Sequence, residues 1–352
     1  MKKKELQGVK EIARRANVAI ATVDRVIHNR PGVSEKTREK INQIIAELNY
    51  QPNLLARRLA SNKIISLAVL IPSVTEETDF WDAPLQGIQQ AESEIRQLGI
   101  KIDLFFFDLG EPQSFTRQAK RILEQTFDGI VMAPSFIQEA QSFSEACQQA
   151  GIPFIYIDSD LPYPSKLSYI GPPLYQSGYQ AGKLCTYRLR ESSKILVVNI
   201  ATSLESFTYK QIEEGFRAYF SEHELHYPIL KADIHQTDYS SIAETLQNIF
   251  TSHPEIDAVF VSNSRTFSVA RFLESASLSR QPLLVGYDYV RENIRYLTSG
   301  IIDFLICHQP KEQGYQSIKT LYQHLVLSAP VTREYYMPID IITRENQAFY
   351  RN

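Results

Sequence analysis

From Ile64 onward, short apolar runs at 64–71, 101–107, 129–133, 153–157, 194–200, 257–262, 282–287 and 301–307 alternate with amphipathic stretches. This alternation restricts the chain to parallel sheets with helices on both faces, because consecutive parallel strands need a crossover long enough to hold a helix. In 84–98, Leu85, Ile88, Ala91, Ile95 and Leu98 fall on one helical face. Comparable stretches lie near 113–125, 138–149, 175–190, 207–221, 239–250, 264–277 and 311–327. The region is long enough for two such sheets, and Pro162, Pro164, Pro172 and Pro173 suit a crossing between them near 160–175. Two α/β lobes with a cleft between them are a usual place for a small ligand.

The first sixty residues have no strand pattern. Val9, Ile12, Ala13 and Ala16 share one helical face, and Val23, Val26 and Ile27 share another after a tight connection at Asn17-Val18. A third helix is expected from Ser34, a good N-cap, with Ile41, Ile44, Ile45 and Leu48 at helical spacing. Two short helices joined by a tight turn and followed by a third form a helix-turn-helix pattern, whose second helix enters the major groove of DNA. With Val23, Val26 and Ile27 inward, Ile20, Ala21, Asp24, Arg25 and His28 face outward. Charge supports this reading: residues 1–63 carry 14 Lys/Arg against 6 Asp/Glu (+8), whereas 64–352 carry 23 against 34 (−11). A basic arm on an acidic body points to a polyanion bound by the arm alone.

Other classes find no support. Cys147, Cys185 and Cys307 lie far apart, without the spacing of a zinc site or disulfide framework, as suits a reducing compartment. The N-terminus is charged where an export signal would be apolar, and the longest apolar run is too short to span a bilayer, so a cytoplasmic protein is expected rather than an exported transport protein. No nucleophile elbow, phosphate-cradling glycine loop or histidine–carboxylate cluster appears. No enzyme activity, cofactor or metal is expected.

Three linked blocks now become specific. The run Val9-Lys-Glu-Ile-Ala-Arg-Arg-Ala-Asn-Val-Ala-Ile-Ala-Thr-Val-Asp-Arg-Val-Ile-His-Asn29 resembles the start of the lactose-repressor/galactose-repressor (LacI/GalR) family. So do Val33-Ser-Glu-Lys-Thr-Arg-Glu-Lys40 and Leu48-Asn-Tyr-Gln-Pro-Asn-Leu-Leu-Ala-Arg-Arg-Leu59, and a looser likeness covers nearly the whole chain. The resemblance implies an all-α helix-turn-helix headpiece at 1–52, a hinge helix and linker at 53–63, and a two-lobed α/β domain like type I periplasmic binding proteins at 64–352, which binds an effector and dimerises. It also implies a homodimer on a pseudo-palindromic operator of double-stranded DNA.

By that resemblance Ile20 and Ala21 occupy the positions that set operator preference. Being apolar, they offer contact to a thymine methyl rather than hydrogen bonds. Thr22 would hold a phosphate. Arg25 would be the groove arginine, gripping guanine or, alternatively, a phosphate. His28, Asn29, Asn53, Ala56 and Arg57 complete the DNA-facing set. Asn53 would cap the hinge helix, and Leu59 would either wedge a base step open or pack within the linker. Three departures from the family pattern stand out. The turn glycine is Asn17, which tolerates a left-handed backbone. The capping serine is Ala19, losing a cap worth about 0.5–2 kcal/mol. Asp24 replaces a serine beside the DNA, where it could accept from cytosine N4 or pair with His28.

The same resemblance points to an effector site, expected to take a carbohydrate or related polyol. Phe80 and Trp81, after the first strand, match an aromatic pair that stacks on sugar rings, although Trp81 could instead cap the core. Asp158, Asn263 and Asp288 match strand-end positions that bind hydroxyls, although Asp288 could instead cap the next helix. His308 stands where many relatives have Gln, and Arg265 lies beside Asn263. An arginine expected three residues before Gly215 is Ile212 here, so Tyr209 or Lys210 would have to substitute.

Overall fold

The computed structural model describes residues 8–27, 30–48, 50, 64–75, 79–203 and 206–352. The chain divides into two compact units, Met1–Ser61 and Asn62–Asn352. In the first, α1 (Val9–Ala16), α2 (Ile20–Ile27) and α3 (Glu35–Glu47) enclose a core of Ile12, Ala13, Ala16, Val23, Val26, Ile41 and Ile44, the faces read from helical spacing. α1 ends at Asn17, which adopts the left-handed conformation (φ 57°, ψ 50°) and returns its N–H to the carbonyls of Ala13 and Arg14. The Lys40 ammonium donates to the Ala16 carbonyl at 3.0 Å, placing a cation at the negative end of the helix. Ser34 caps α3, its hydroxyl accepting from the Thr37 N–H.

The second unit holds two six-stranded sheets of matching layout. The first contains β1 (Ile65–Pro72), β2 (Ile100–Phe107), β3 (Gly129–Met132), β4 (Phe154–Ile157), β5 (Ser168–Gly171) and β11 (Glu334–Tyr336), in the order β11-β5-β4-β3-β1-β2. The second contains β6 (Lys194–Ile200), β7 (Ile229–Ile234), β8 (Ile256–Val261), β9 (Leu283–Tyr287), β10 (Phe304–Cys307) and β12 (Asp340–Ile342), in the order β12-β10-β9-β8-β6-β7. All pairings are parallel except β10 with β12. Helices α4 (Asp82–Ile95), α5 (Pro112–Leu123) and α6 (Ile137–Gln149) follow β1, β2 and β3. In the second lobe α7 (Leu174–Cys185) precedes β6, and α8 (Phe207–Glu222), α9 (Tyr239–Ser252), α10 (Thr266–Ser275) and α11 (Arg291–Ser299) follow β6, β7, β8 and β9. α12 (Pro310–Leu325) returns to the first lobe and packs on α4. Apolar clusters cover both faces of each sheet, which is why strands such as β3, β4 and β8 are buried along their whole length.

The connections differ from the sequence reading in one respect. The proline-rich stretch near 160–175 contains β5, and the chain leaves the first lobe only at Pro172-Pro173. It crosses again after Cys307 at the end of β10, on the way to α12, and once more between β11 and β12.

Candidate functional site

The outward face of α2 is the one its spacing predicts. Ile20 is 50% exposed, Ala21 and Arg25 are exposed, and Thr22 and Asp24 are half-buried. The Ala19 carbonyl accepts from the N–H groups of Thr22 and Val23 (2.9 and 3.4 Å), and Ala19 has no side-chain acceptor to add a cap. Arg25 lies over Gly32: a Cβ built there would sit 3.5 Å from Nη1. Gly32 has φ +93°, a region where side chains are disfavoured. Asp24 reaches the Arg30 guanidinium at 3.4 Å, a pairing not read from the sequence. The expected Asp24–His28 pair, together with Asn29, Asn53, Ala56, Arg57 and Leu59, falls outside the described residues, as does the hinge segment.

In the second unit, a cavity of about 420 Å³ opens between the C-terminal ends of the two sheets. Phe80, Trp81, Asp158, Tyr209, Asn263, Arg265, Asp288 and His308 all line it. This is the place where open parallel sheets hold ligands, since the loops beyond their strand ends carry the free side chains. Lys210 is not among the lining residues; it is largely solvent-exposed and its ammonium lies 4.0 Å from Glu214, so of the two proposed stand-ins for the missing arginine only Tyr209 reaches the cavity.

Asp158 directly follows β4 and Asp288 directly follows β9, equivalent places in the two lobes. Both adopt left-handed backbone (φ 64° and 72°), and their N–H groups donate to the carbonyls of Ile170 and Ile306. Both residues line the cavity. Burial raises the Asp158 carboxyl to about 6, with a weak Ser159 hydroxyl bond opposing it. Burial, and then the charge of Asp158, push Asp288 well above the usual carboxylate range. Asp288 does not cap α11: the cap position is Val290, with no side-chain bond. The loop is instead clamped by fully buried Asn293, whose Nδ2 donates to the carbonyls of Ser264, Tyr287 and Asp288 at 3.0, 2.8 and 3.1 Å.

Asn263 is committed within the protein. Its Nδ2 donates to the Ile200 carbonyl (2.7 Å) and the Tyr209 hydroxyl (3.0 Å), and its Oδ1 accepts from the Arg265 N–H (3.1 Å). These bonds hold Tyr209 in place. His308 is 6% exposed, and burial drops its pKa to about 3, so the ring is neutral. Its Nε2 lies 2.9 Å from Ser177 Oγ, which lies 2.7 Å from the Tyr287 hydroxyl. Tyr287 and His308 thus share the Ser177 hydroxyl, which ties the ends of β9 and β10 to α7. Trp81 is 4% exposed and part of the first lobe's core, with Phe80 edge-on at 5.3 Å. Phe80 is the more accessible ring, and Trp81 meets the cavity while anchored behind it.

Sequence reasoning missed Asp108, Thr208 and Tyr287, which line the cavity, and the supporting residues Ser177 and Asn293. Thr208 Oγ1 is buried without a partner among the described residues. The strand-end position of Asp108 was a signal in the sequence; Ser177 and Asn293 act from helices whose relation to the cavity only the fold reveals.

Two family models match the chain: bacterial regulatory proteins of the lacI family over residues 8–53, and a periplasmic binding protein domain over 68–327. The chain is 25% identical to a ribose operon repressor of Halalkalibacterium halodurans over 345 residues, 96% of each protein. It is 23% identical to catabolite control protein A of Staphylococcus epidermidis over 272 residues, 76% of this chain and 77% of that protein. A crystal structure described as a LacI transcriptional regulator from Bacteroides fragilis superposes with a TM-score of 0.76 at 30% identity, covering 82% of this chain and all of that one. A glucose-galactose binding protein from Geobacillus stearothermophilus shares the fold (TM-score 0.72, 21% identity, 81% of this chain and 99% of that one).

Proposed function

The chain belongs to the LacI family of bacterial regulatory proteins, and from that premise we propose how this DNA-binding transcriptional regulator is controlled. A carbohydrate or related polyol occupies the cavity between the lobes of 64–352. Asp158 and Asp288 accept from its hydroxyls, Tyr209 donates, His308 adds a further hydrogen bond, and Phe80 packs against its apolar face. The relatives named for ribose control and for glucose-galactose binding support a sugar-like ligand. No catalytic step is assigned to the site.

On the DNA side, the headpiece at 1–52 docks α2 in the major groove, with Ile20 and Ala21 against bases, Thr22 on phosphate and Arg25 on guanine or phosphate. Asp24 tunes this face through its pairing with Arg30. His28 and Asn29, and in the hinge Asn53, Ala56, Arg57 and Leu59, complete the contact set. Two chains pair in the cytoplasm as a homodimer acting as a repressor on a pseudo-palindromic operator. Effector binding favours one lobe closure over another and so changes the order of the 53–63 segment.

The observation that carries the ligand assignment is the convergence of strand ends from both sheets on one cavity lined by both polar and aromatic side chains. Trp81, the only tryptophan, supplies the test. Titrating the full chain with a panel of pentoses, hexoses and polyols is expected to give one saturable fluorescence change, lost in Asp158→Ala. A signal unchanged by every member would overturn the assignment.

A further inference from the structure

Among the described residues lining the cavity, three carboxylates, Asp108, Asp158 and Asp288, stand against one guanidinium, Arg265. Their positions matter more than their number. Asp108 Oδ1 is occupied by the Gly110 N–H at 2.7 Å, in a local turn. Among the described residues the Asp158 carboxylate has only the hydroxyl of its neighbour Ser159, at 3.4 Å. The Asp288 carboxylate makes no hydrogen bond or ion pair with any described residue. Arg265 sits toward β6, its Nη1 3.5 Å from the Ile200 carbonyl, and its charge is felt by Tyr209 but offsets neither Asp158 nor Asp288. His308 is neutral and contributes no cation.

Two carboxyl groups from opposite lobes thus share one cleft with no described cation between them. Like charges repel more strongly away from bulk water than in it, so without a counter-charge such a pair relieves the repulsion by keeping a proton. A neutral polyol can donate hydroxyl bonds to both but supplies no counter-charge that would let both ionise. An anionic ligand adds to the repulsion. An ammonium group offers three donors and a compensating charge, and charge-assisted hydrogen bonds are roughly twice as strong as neutral ones. We infer that Asp158 and Asp288 form a seat for a protonated amine, so that the effector is an amino sugar or amino polyol rather than a neutral sugar. The ring hydroxyls of such a ligand remain for His308, Tyr209 and Thr208, whose Oγ1 has no partner among the described residues.

This inference rests on the cavity being the effector site, and the test separates the two. The full chain is titrated, by Trp81 fluorescence and by calorimetry, with matched sets: glucose, glucosamine and N-acetylglucosamine, and the galactose and mannose equivalents. In at least one set the free amine is expected to bind tenfold or more tighter than the neutral parent, with acetylation abolishing the gain. Asp288→Asn and, independently, Asp158→Asn should shrink that preference while the neutral parent's affinity changes less; the wild-type comparison stands even if a variant folds poorly. A neutral parent that binds as tightly as its amine overturns the inference and leaves the sugar site standing. Failure of every member of every set overturns the inference, and the sugar site falls with it if the pentose, hexose and polyol panel is silent too.

Discussion

The two strand-end aspartates show what the cavity does to stability. An unfolded carboxyl titrates near 3.8, whereas Asp158 in the folded chain holds its proton to about 6. Between those values the folded state binds the extra proton, so the contribution of Asp158 favours folding at low pH and is lost as pH rises from about 4 through about 6. His308 works the other way: the unfolded ring takes a proton near 6.5 that the buried ring refuses until about 3, so acid costs stability there. Comparing parent and variant isolates the carboxyl. Asp158→Asn is expected to melt at a higher temperature than the parent at pH 7 in the absence of ligand, with the difference shrinking toward pH 4. For a unit of this size a gain of 1 kcal/mol is worth roughly 2–4 °C. A difference constant with pH, or a variant less stable at neutral pH, contradicts the burial argument.

Among elements, the helix pairs that flank the sheets are held by glycines. On α8, a Cβ at Gly215 would lie 1.9 Å from the Tyr175 carbonyl oxygen of α7, and on α7 one at Gly178 would lie 1.9 Å from the Ile212 carbonyl oxygen. The first lobe repeats the device with Gly87 of α4 and Gly314 of α12. Gly215→Ala must therefore push the helices apart, and is expected to lower sensor-domain stability by about 1–3 kcal/mol, read as a fall in melting temperature of the full chain. An unchanged melt would show the pair to be loosely packed. None of this closeness was legible from the sequence, where these glycines interrupt amphipathic runs without announcing a partner. The longer strands and most of the helices were legible because each buries a continuous or periodic apolar set. The missed elements lack that mark. β7 is an edge strand interrupted by Lys231 and Asp233, β5, β11 and β12 are only three or four residues long, and α11 is charge-rich and buries chiefly Asn293, Tyr296 and Leu297. The cavity-lining positions Asp158, Asn263, Asp288 and His308 were reached through the family resemblance; the helix-borne supports Ser177 and Asn293 were not, because which helix faces which strand end is decided by sheet order.

For the whole molecule, the charge split between +8 in residues 1–63 and −11 in the remainder assigns polyanion binding to one part and repulsion to the other. Neutralising phosphates releases condensed counterions, so affinity for operator DNA should fall steeply with salt; six to ten phosphate contacts would cost on the order of 10³–10⁵ between 50 and 200 mM. Much of that term should remain on unrelated duplex, since phosphate contacts carry no sequence information. The same partition predicts that a fragment starting at Ile64 binds no duplex yet titrates with effector as the full chain does, because all the described lining residues of the cavity lie beyond residue 64. The measurement is a pair of titrations on fragment and full chain, one with labelled operator across a salt series and one with ligand followed by Trp81. Operator binding that survives the truncation would move the DNA contacts onto the acidic body, against its charge. Ligand affinity lost with the headpiece would place part of the effector site outside the two-lobed domain.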